Sequence, residues 1–493
     1  MARRMSSFVQ KYAWGKPGDK SVVASLKAAG DKSYEVAANE PYAEMWIGTH
    51  PSGPSSLLTN SGNVGPLLKD HLASEPTALG DIAHKGDLPF LFKVISINKA
   101  LSIQAHPNKK LAERLHAERP DVYQDDNHKP EMAVTLSDFE ALCGFRKFPE
   151  IIWSLQFYHE LRALVSLDAM HQAIRSMTIC FKIFSQIMTA GDDVERQKFA
   201  LRELFRSLNN ANQNTVKAEL DRLVRRLTLA SGSDYDGEVD GVVDDDDESS
   251  VGVDEEEQKT LFAEQAFFQW FRRGSTASDA MNARMDKEHP DVVRVMLRLS
   301  LEYPGDIGIL MPLVLNLLIL KPGQAFFMTV DEPHAYLRGD ILECMACSNN
   351  VVRCALTPKY RDVDLLVDML SYNMAAPAVL HASAVDENRK CFTPPVADFE
   401  IEDVHVPANE VYRIEAMPIP AVLVTLKGGE GGLLIDEDTG KEMEAAAGGI
   451  FFLPANTNCT MVSSKTSELH IAMAHTNLHW GPLTPRGSAA PNF

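Results

Sequence analysis

A chain of 493 residues is too long for one hydrophobic core, so about two to four domains are expected. The formal charge is −20, but residues 231–257 alone hold thirteen Asp and Glu and no Lys or Arg; subtracting them leaves about −7, which argues against binding to nucleic acid. The longest apolar run, residues 307–320, contains Gly308, Pro312 and Asn316 and is too short to span a bilayer, so no membrane helix is expected.

Cysteine usage and the N-terminus point to one compartment. The chain has seven cysteines, an odd number, and their spacing fits no disulfide framework. Arg3 and Arg4 make the N-terminus basic, but no apolar stretch follows them, so no removable targeting segment is expected. A reducing, cytoplasmic location is therefore the expectation.

Short strands and turns are predicted up to about Arg146. Residues 88–105 contain a β-branched run, which favours a strand pair or one bent strand. Residues 108–119 predict a short helix with Leu111 and Leu115 on one face. This helix would bring the residues before and after it close together.

From Pro149 the apolar periodicity becomes helical. An apolar stripe with Arg and Lys on the opposite face predicts an amphipathic helix: Val216, Leu220, Leu223, Val224 and Leu227. Helical character resumes at residues 261–271 and 292–301. Residues 231–257 combine low complexity with self-repelling charge, so they are predicted to be disordered.

The last part of the chain carries strand signals. After a helical piece at residues 363–373, four apolar segments alternate with Gly, Pro and Asn turns: residues 421–426, 432–435, 450–453 and 469–472. This pattern predicts a small jelly roll. No group of residues with an evident chemical role stands out in this tail.

Residues 101–131 concentrate side chains that can bind a metal ion. Gln104 and His106 lie two apart at the end of a predicted strand, and Lys129 and Glu131 lie two apart at the start of another. Side chains at this spacing project from one face of a strand. An imidazole, a carboxylate and an amide oxygen suit zinc or a similar divalent ion, although each residue taken singly is also explained as a hydrogen-bonded loop group.

A later segment completes a recognisable set of motifs. Gln104-x-His106, the run His128-Lys129-Pro130-Glu131 and the run His334-Ala335-Tyr336 resemble the signatures of the type I phosphomannose isomerases, zinc enzymes that interconvert mannose 6-phosphate and fructose 6-phosphate. The likeness extends to residues 12–15, 41–51 and 303–308. The resemblance implies a monomeric aldose-ketose isomerase that acts on a small sugar phosphate and supplies mannose 6-phosphate for GDP-mannose synthesis.

The resemblance implies a mainly β fold with a helical insertion. A cupin-type jelly-roll catalytic domain would comprise residues 1–148 and 303–370, and an all-α domain, residues 149–302, would be inserted between its two parts. A C-terminal cupin-like jelly roll would comprise residues 371–493. The middle region must be an insertion because the ligand-bearing pieces on both sides of it have to meet to share one metal ion.

The resemblance also assigns roles to particular residues. One zinc ion per chain would be bound by Gln104, His106, Glu131 and His334, and an open position would make this site catalytic. The isomerisation needs a side chain that moves a proton between two carbons through an enediol, and Lys129 and Glu343 are both candidates. Arg353, always charged, would stabilise the enediolate or hold phosphate.

Three more residues are assigned to substrate binding. Ser102 and Lys359 resemble positions that contact phosphate, and Tyr336 shares a strand face with His334; each also has an ordinary structural explanation. The chain departs from the family at Asn349, where Asp is usual, and at Cys354-Ala355, where Ala-Gly is usual. If the lost glycine needed a positive φ, Ala355 would displace Arg353.

Two rival functions have distinct sequence requirements. A non-catalytic sugar-phosphate-binding protein of the same fold would be expected to lack metal ligands or Arg353, and this chain has them all. A cupin metalloenzyme of another class, such as an iron oxygenase, would use two His and one carboxylate, which His106, Glu131 and His334 would satisfy. Gln104 as a fourth ligand favours zinc.

Overall fold

The computed structural model describes residues 1–59, 61–171, 194–231, 278–377 and 379–479. The acidic stretch predicted to be disordered, residues 231–257, lies outside these ranges except for Ser231, and so does the helix predicted at residues 261–271. Within the ranges described, no helix is both long and apolar enough to cross a lipid bilayer.

Nine α-helices occur in the described parts of the chain. They are α1 (Val22–Gly30), α2 (Leu68–Ser74), α3 (Lys109–Glu118), α4 (Phe148–Phe157), α5 (His159–His171), α6 (Val194–Asn210), α7 (Gln213–Ser231), α8 (Ser278–Glu302) and α9 (Val363–Met369). Short 3-10 helices occur at Gly18–Lys20, Pro76–Lys85 and Ile307–Leu313. The helix predicted between the ligand segments is α3, and the Asn108 side chain caps it by accepting from the Leu111 N–H at 3.0 Å.

The strands are distributed on both sides of helices α4 to α8. The first eleven are β1 (Arg3–Ser6), β2 (Phe8–Gln10), β3 (Lys16–Pro17), β4 (Pro41–Tyr42), β5 (Glu44–Ile47), β6 (Ser56–Leu58), β7 (Val64–Leu67), β8 (Phe90–Ile97), β9 (Ile103–Ala105), β10 (Glu131–Thr135) and β11 (Phe139–Phe145). Those after the helices are β12 (Leu315–Leu320), β13 (Ala325–Met328), β14 (His334–Ala346), β15 (Val352–Ala355), β16 (Val379–Leu380), β17 (Ser383–Ala384), β18 (Arg389–Phe392), β19 (Glu400–Val406), β20 (Val411–Ile414), β21 (Ala421–Lys427), β22 (Leu433–Asp436), β23 (Lys441–Glu444), β24 (Ile450–Leu453), β25 (Cys459–Val462) and β26 (Leu469–His475). The strands predicted at residues 88–105 and in the tail are confirmed.

The inserted helices pack against a strand of the catalytic region. Four residues of the stripe predicted in α7 are buried: Val216, Leu220, Leu223 and Leu227. They share one hydrophobic core with residues of α4 and α6 and with Val352 and Cys354 of β15. Because each buried aliphatic side chain contributes roughly 1.5–3 kcal/mol, this core holds β15 firmly in place.

Strand β14 is the centre of an eleven-stranded sheet. Its first residues pair with β11 and β9, and from Gly339 onward it pairs with β8 and β10. On β11, Glu140 pairs with Arg338 and the next residue, Ala141, pairs with Tyr336, so Leu337 of β14 has no partner and forms a β-bulge. Gly339, two residues later, has φ 118°. A Cβ at Gly339 would lie 2.6 Å from the Asp138 carbonyl oxygen, so only glycine fits this bend.

The N-terminal strand completes the C-terminal sheet. In this nine-stranded sheet β1 lies between β24 and β6, and the Ala2 N–H donates to Asp436 Oδ2 at 2.6 Å. A second sheet of four strands, in the order β20, β25, β22 and β23, packs against it through a core that includes Val404, Leu434 and Met461. The chain therefore ties its first residues to the predicted C-terminal jelly roll, whose boundary at residue 371 remains a prediction.

Candidate active site

Three of the four predicted metal ligands converge on one buried point. Glu131 Oε1 lies 3.4 Å from His106 Nε2, and Glu131 Oε2 lies 3.2 Å from His334 Nε2. All three side chains are buried, and neither Nε2 atom has a well-aligned hydrogen-bond partner among the described residues. Because a buried polar atom is rarely left unsatisfied, these residues could hold a metal ion.

Backbone carbonyl groups fix the orientation of both imidazole rings. His106 Nδ1 lies 2.7 Å from the Asn350 carbonyl oxygen, and His334 Nδ1 lies 3.2 Å from the Glu332 carbonyl oxygen. An Nδ1–H that donates to a carbonyl leaves Nε2 with a free lone pair, which is the form that binds metal. Burial, together with the charge of Lys129, lowers the pKa of His106 to about 4, so its ring is neutral.

Two aspartates hold the ligand-bearing segments together. The Asp331 N–H donates to the His106 carbonyl oxygen at 2.8 Å, and its carboxylate accepts from the Asn108 N–H at 3.0 Å. Asp331 has φ 60°, a strained conformation that these bonds stabilise. Asp125 Oδ1 accepts from Ser348 Oγ at 2.7 Å and so fixes the loop after β14.

Gln104, the fourth predicted ligand, lies beside the other three. In the sheet register it stands opposite His334 on one side and Arg353 on the other. Its Oε1 accepts from Ser102 Oγ at 3.4 Å. The position is compatible with a metal ligand, and the role stays a prediction.

A cavity of about 730 Å³ lies against this group, a volume within the range of small-molecule sites. It is lined by eight of the predicted site residues: Ser102, Gln104, Lys129, Glu131, Tyr336, Glu343, Arg353 and Lys359. The other two, His106 and His334, contact the carboxylate of Glu131. The structure thus brings every predicted site residue to one place.

Lys129 and Glu131 lie on the same face, as strand alternation predicts. Lys129 Nζ is 3.0 Å from Glu131 Oε1. Burial by itself raises the pKa of the Glu131 carboxyl, but Lys129, His106 and His334 together hold it well below its usual value. Glu131 is therefore an anion that can balance a cation.

Glu343 belongs to a buried network that contains the predicted Tyr336 and two residues, Lys93 and Glu44, that were not predicted from the sequence. The Tyr336 hydroxyl donates to Glu343 Oε1 at 2.6 Å, and Lys93 Nζ lies 2.8 Å from Glu343 Oε2 and 3.5 Å from Glu44 Oε2. Burial by itself lowers the pKa of Lys93, but the neighbouring carboxylates raise it, so the ammonium group stays charged. The sequence offered one signal for this network: Lys93 lies inside the otherwise apolar strand β8, and a buried charge requires partners.

Three cations line the same cavity without a carboxylate partner. Within the described ranges, Lys99, Arg353 and Lys359 form no ion pair, and Lys99 Nζ lies 4.0 Å from the centre of the Tyr303 ring. Burial lowers the pKa of Arg353, which nevertheless remains charged. Lys99 was not predicted, and nothing in its local sequence marks it. The cavity therefore has uncompensated positive charge that suits an anionic substrate.

The residue that replaces the usual family glycine beside Arg353 does not require a left-handed backbone. Ala355 has no positive φ; it pairs with Ile103 of β9, and the neighbouring Leu356 takes the positive φ of 54°. The Cys354 thiol is buried and donates to Asn209 Oδ1 of α6 at 3.4 Å. The lost glycine therefore brings no backbone strain at this position.

Sequence comparisons agree with this geometry. A family profile described as "Phosphomannose isomerase type I, catalytic domain" matches residues 2–148. Mannose-6-phosphate isomerase of Mus musculus is 34% identical over 481 residues, which cover 95% of this chain and 97% of that protein. Mannose-6-phosphate isomerase 1 of Arabidopsis thaliana is 34% identical over 478 residues, which cover 95% and 93%.

Solved structures show the same architecture. A point mutant of phosphomannose isomerase from Salmonella typhimurium is 25% identical, with a TM-score of 0.68 over 97% of this chain and 100% of that chain. A mannose 6-phosphate isomerase bound with zinc and yttrium is 25% identical, with a TM-score of 0.67 and the same coverage. The predicted mainly β, cupin-type fold with a helical insertion is confirmed. This chain belongs to the type I phosphomannose isomerase family.

Proposed function

We propose that this chain interconverts mannose 6-phosphate and fructose 6-phosphate with one zinc ion bound by Gln104, His106, Glu131 and His334. The observation that carries the proposal is the pair of buried, unbonded Nε2 atoms that face a single carboxylate at the cavity wall. Two imidazoles, one carboxylate and one amide oxygen make a donor set that suits a divalent ion. The ion would supply Lewis-acid polarisation of the substrate oxygens.

The positive side chains of the cavity divide between two tasks. Lys359 is exposed and, with the Ser102 hydroxyl, would bind the phosphate group; Lys99, over its tyrosine ring, adds to the same attraction. Arg353 is half-buried. It is the β15 residue opposite Gln104 of β9, which is one of the proposed metal ligands. Its guanidinium would stabilise the negative charge of the enediolate.

We assign to Glu343 the transfer of the proton between the first and second carbons of the sugar. Lys129, the alternative, already forms an ion pair with Glu131, and an ammonium group has no lone pair with which to accept a proton. The Glu343 carboxylate lines the cavity and keeps lone pairs in addition to those that accept from Tyr336 and Lys93. Lys129 would donate to a substrate oxygen.

The fate of the transferred hydrogen distinguishes the two side chains. With mannose 6-phosphate deuterated at its second carbon, transfer by Glu343 should leave most of the label on the first carbon of the product in a single turnover. An ammonium group carries three hydrogens, so transfer by Lys129 would retain at most about one third of the label. Mass spectrometry of the product measures the retained fraction. Retention below that level, together with normal turnover in Glu343→Gln, would contradict the assignment.

Metal removal tests the proposed function itself. Chelation should abolish the conversion of mannose 6-phosphate to fructose 6-phosphate, and zinc should restore it, because all four proposed ligands serve one ion. A coupled assay for fructose 6-phosphate with elemental analysis of bound metal gives the result, and circular dichroism shows whether the metal-free chain remains folded. Full activity in the metal-free, folded chain would refute the zinc mechanism, and recovery with iron but not with zinc would contradict the choice of metal.

A further inference from the structure

A second group of metal-binding side chains lies on the solvent face of the C-terminal sheet, where the sequence showed no group with a chemical role. Asp403 and His405 are two apart on β19, and His470 stands directly opposite His405 on β26. Strand alternation places all three on one face, while Val404 between the first two is buried in the core.

The three side chains already point at one another. The His405 and His470 rings stack with their centres 3.8 Å apart and their planes at 25°. His405 Nε2 lies 3.0 Å from Asp403 Oδ2, and His470 Nε2 bonds the other carboxylate oxygen. Each of the three residues has one potential ligand atom that lies within 4.8 Å of those of the other two. Bonds of about 2 Å to zinc would require the two rings to rotate out of this stack until both Nε2 lone pairs point at the ion.

The backbone that carries these residues is held on several sides. Strand β26 pairs with β19 along one edge and with β21 along the other. The His405 N–H donates to the Asn388 carbonyl oxygen at 2.8 Å, and the His405 carbonyl oxygen accepts from Asn388 Nδ2 at 2.7 Å. A metal ion would therefore meet ligands on a rigid scaffold, which lowers the entropy lost on binding.

The surface is accessible and its charge is balanced. The side chains of His405, Asp403 and His470 are 48%, 22% and 21% exposed. Glu468, two residues before His470, pairs with Lys427 at 2.8 Å. Lys390 stands opposite Asp403 in the register between β18 and β19.

We propose that Asp403, His405 and His470 form a second site for a divalent ion of the zinc class, separate from the catalytic residues. Imidazole and carboxylate are the donors that zinc, nickel and copper accept together. Binding should be weaker than at the catalytic site, because both Nε2 atoms have a carboxylate partner that the ion must displace. The ion would bridge β19 and β26, so its effect would be on the stability of the C-terminal jelly roll and not on turnover.

Zinc titration of the full chain, already loaded with its catalytic ion, tests the proposal by isothermal titration calorimetry. A second equivalent should bind at neutral pH, and the double variant His405→Gln/His470→Gln should weaken that event by at least about tenfold. The exposed His84 provides a matched control, since His84→Gln removes a surface imidazole that belongs to neither site. Isomerase turnover and catalytic zinc content should be the same in all three proteins.

The pH dependence gives an independent readout. Zinc binds the unprotonated form of imidazole, so protons compete with it and affinity at the second site should increase as the pH rises. A second event that is unchanged in the double variant, or the absence of any second event, would overturn the proposal.

Discussion

Replacing His334 by alanine is expected to abolish isomerisation and to remove most of the bound zinc. His334 Nε2 is buried, has no well-aligned hydrogen-bond partner in the described part of the chain and lies 3.2 Å from Glu131 Oε2. Loss of partners that only orient metal ligands costs about 10–100-fold in metal affinity, so loss of a ligand should cost at least that much. Turnover should fall at least in proportion to the loss of bound zinc, because the remaining side chains cannot polarise the substrate oxygens alone.

The measurement must separate lost metal from lost fold. Elemental analysis gives the zinc content, the coupled assay gives turnover, and circular dichroism with thermal melting reports the fold. Truncation of a buried ring also leaves a cavity, so some loss of stability is expected in His334→Ala. His84→Ala is the surface control and should match the parent chain in all three measurements. Full zinc occupancy with normal turnover in His334→Ala would remove His334 from the site.

The full set of metal ligands was predicted from the resemblance to the family, and local spacing supports part of it. Lys129 and Glu131 are two apart at the start of β10, and their charged groups lie 3.0 Å apart. Strand alternation requires no knowledge of the rest of the fold. Glu343 is different, because it is seven residues from Tyr336, and strict alternation would place the two on opposite faces. The bulge at Leu337 brings them to one cavity, and a bulge has no reliable local signal.

Long-range pairing accounts for most of what the sequence did not reveal. The strand β1 joins the C-terminal sheet by pairing with β24, but the sequence of its four residues does not indicate that β24 is the partner. The cluster of Asp403, His405 and His470 depends on the register between β19 and β26. A shift of one residue would move His470 to the other face, and register is set by the packing of the whole sheet.

Arg353→Lys should retain the fold and the bound zinc while turnover falls by about two orders of magnitude or more, the scale of removing one oxyanion donor. Lysine keeps the charge but loses the planar pair of donors that the guanidinium presents. Arg353 is half-buried, lies opposite Gln104 and, among the described residues, has no carboxylate partner, so its donors are available to substrate. Phosphate binds in the ground state and the transition state alike, whereas the enediolate exists only along the reaction path.

The contrast between two variants therefore decides which group Arg353 serves. Lys359→Gln removes a cation from the exposed end of the cavity, and it should mainly raise KM because phosphate binding is lost equally in both states. Arg353→Lys should instead lower kcat with a smaller change in KM. Steady-state kinetics on both variants, with metal content and circular dichroism as controls, gives the comparison. An unchanged kcat with a raised KM in Arg353→Lys would move Arg353 to the phosphate-binding group, beside Ser102 and Lys359.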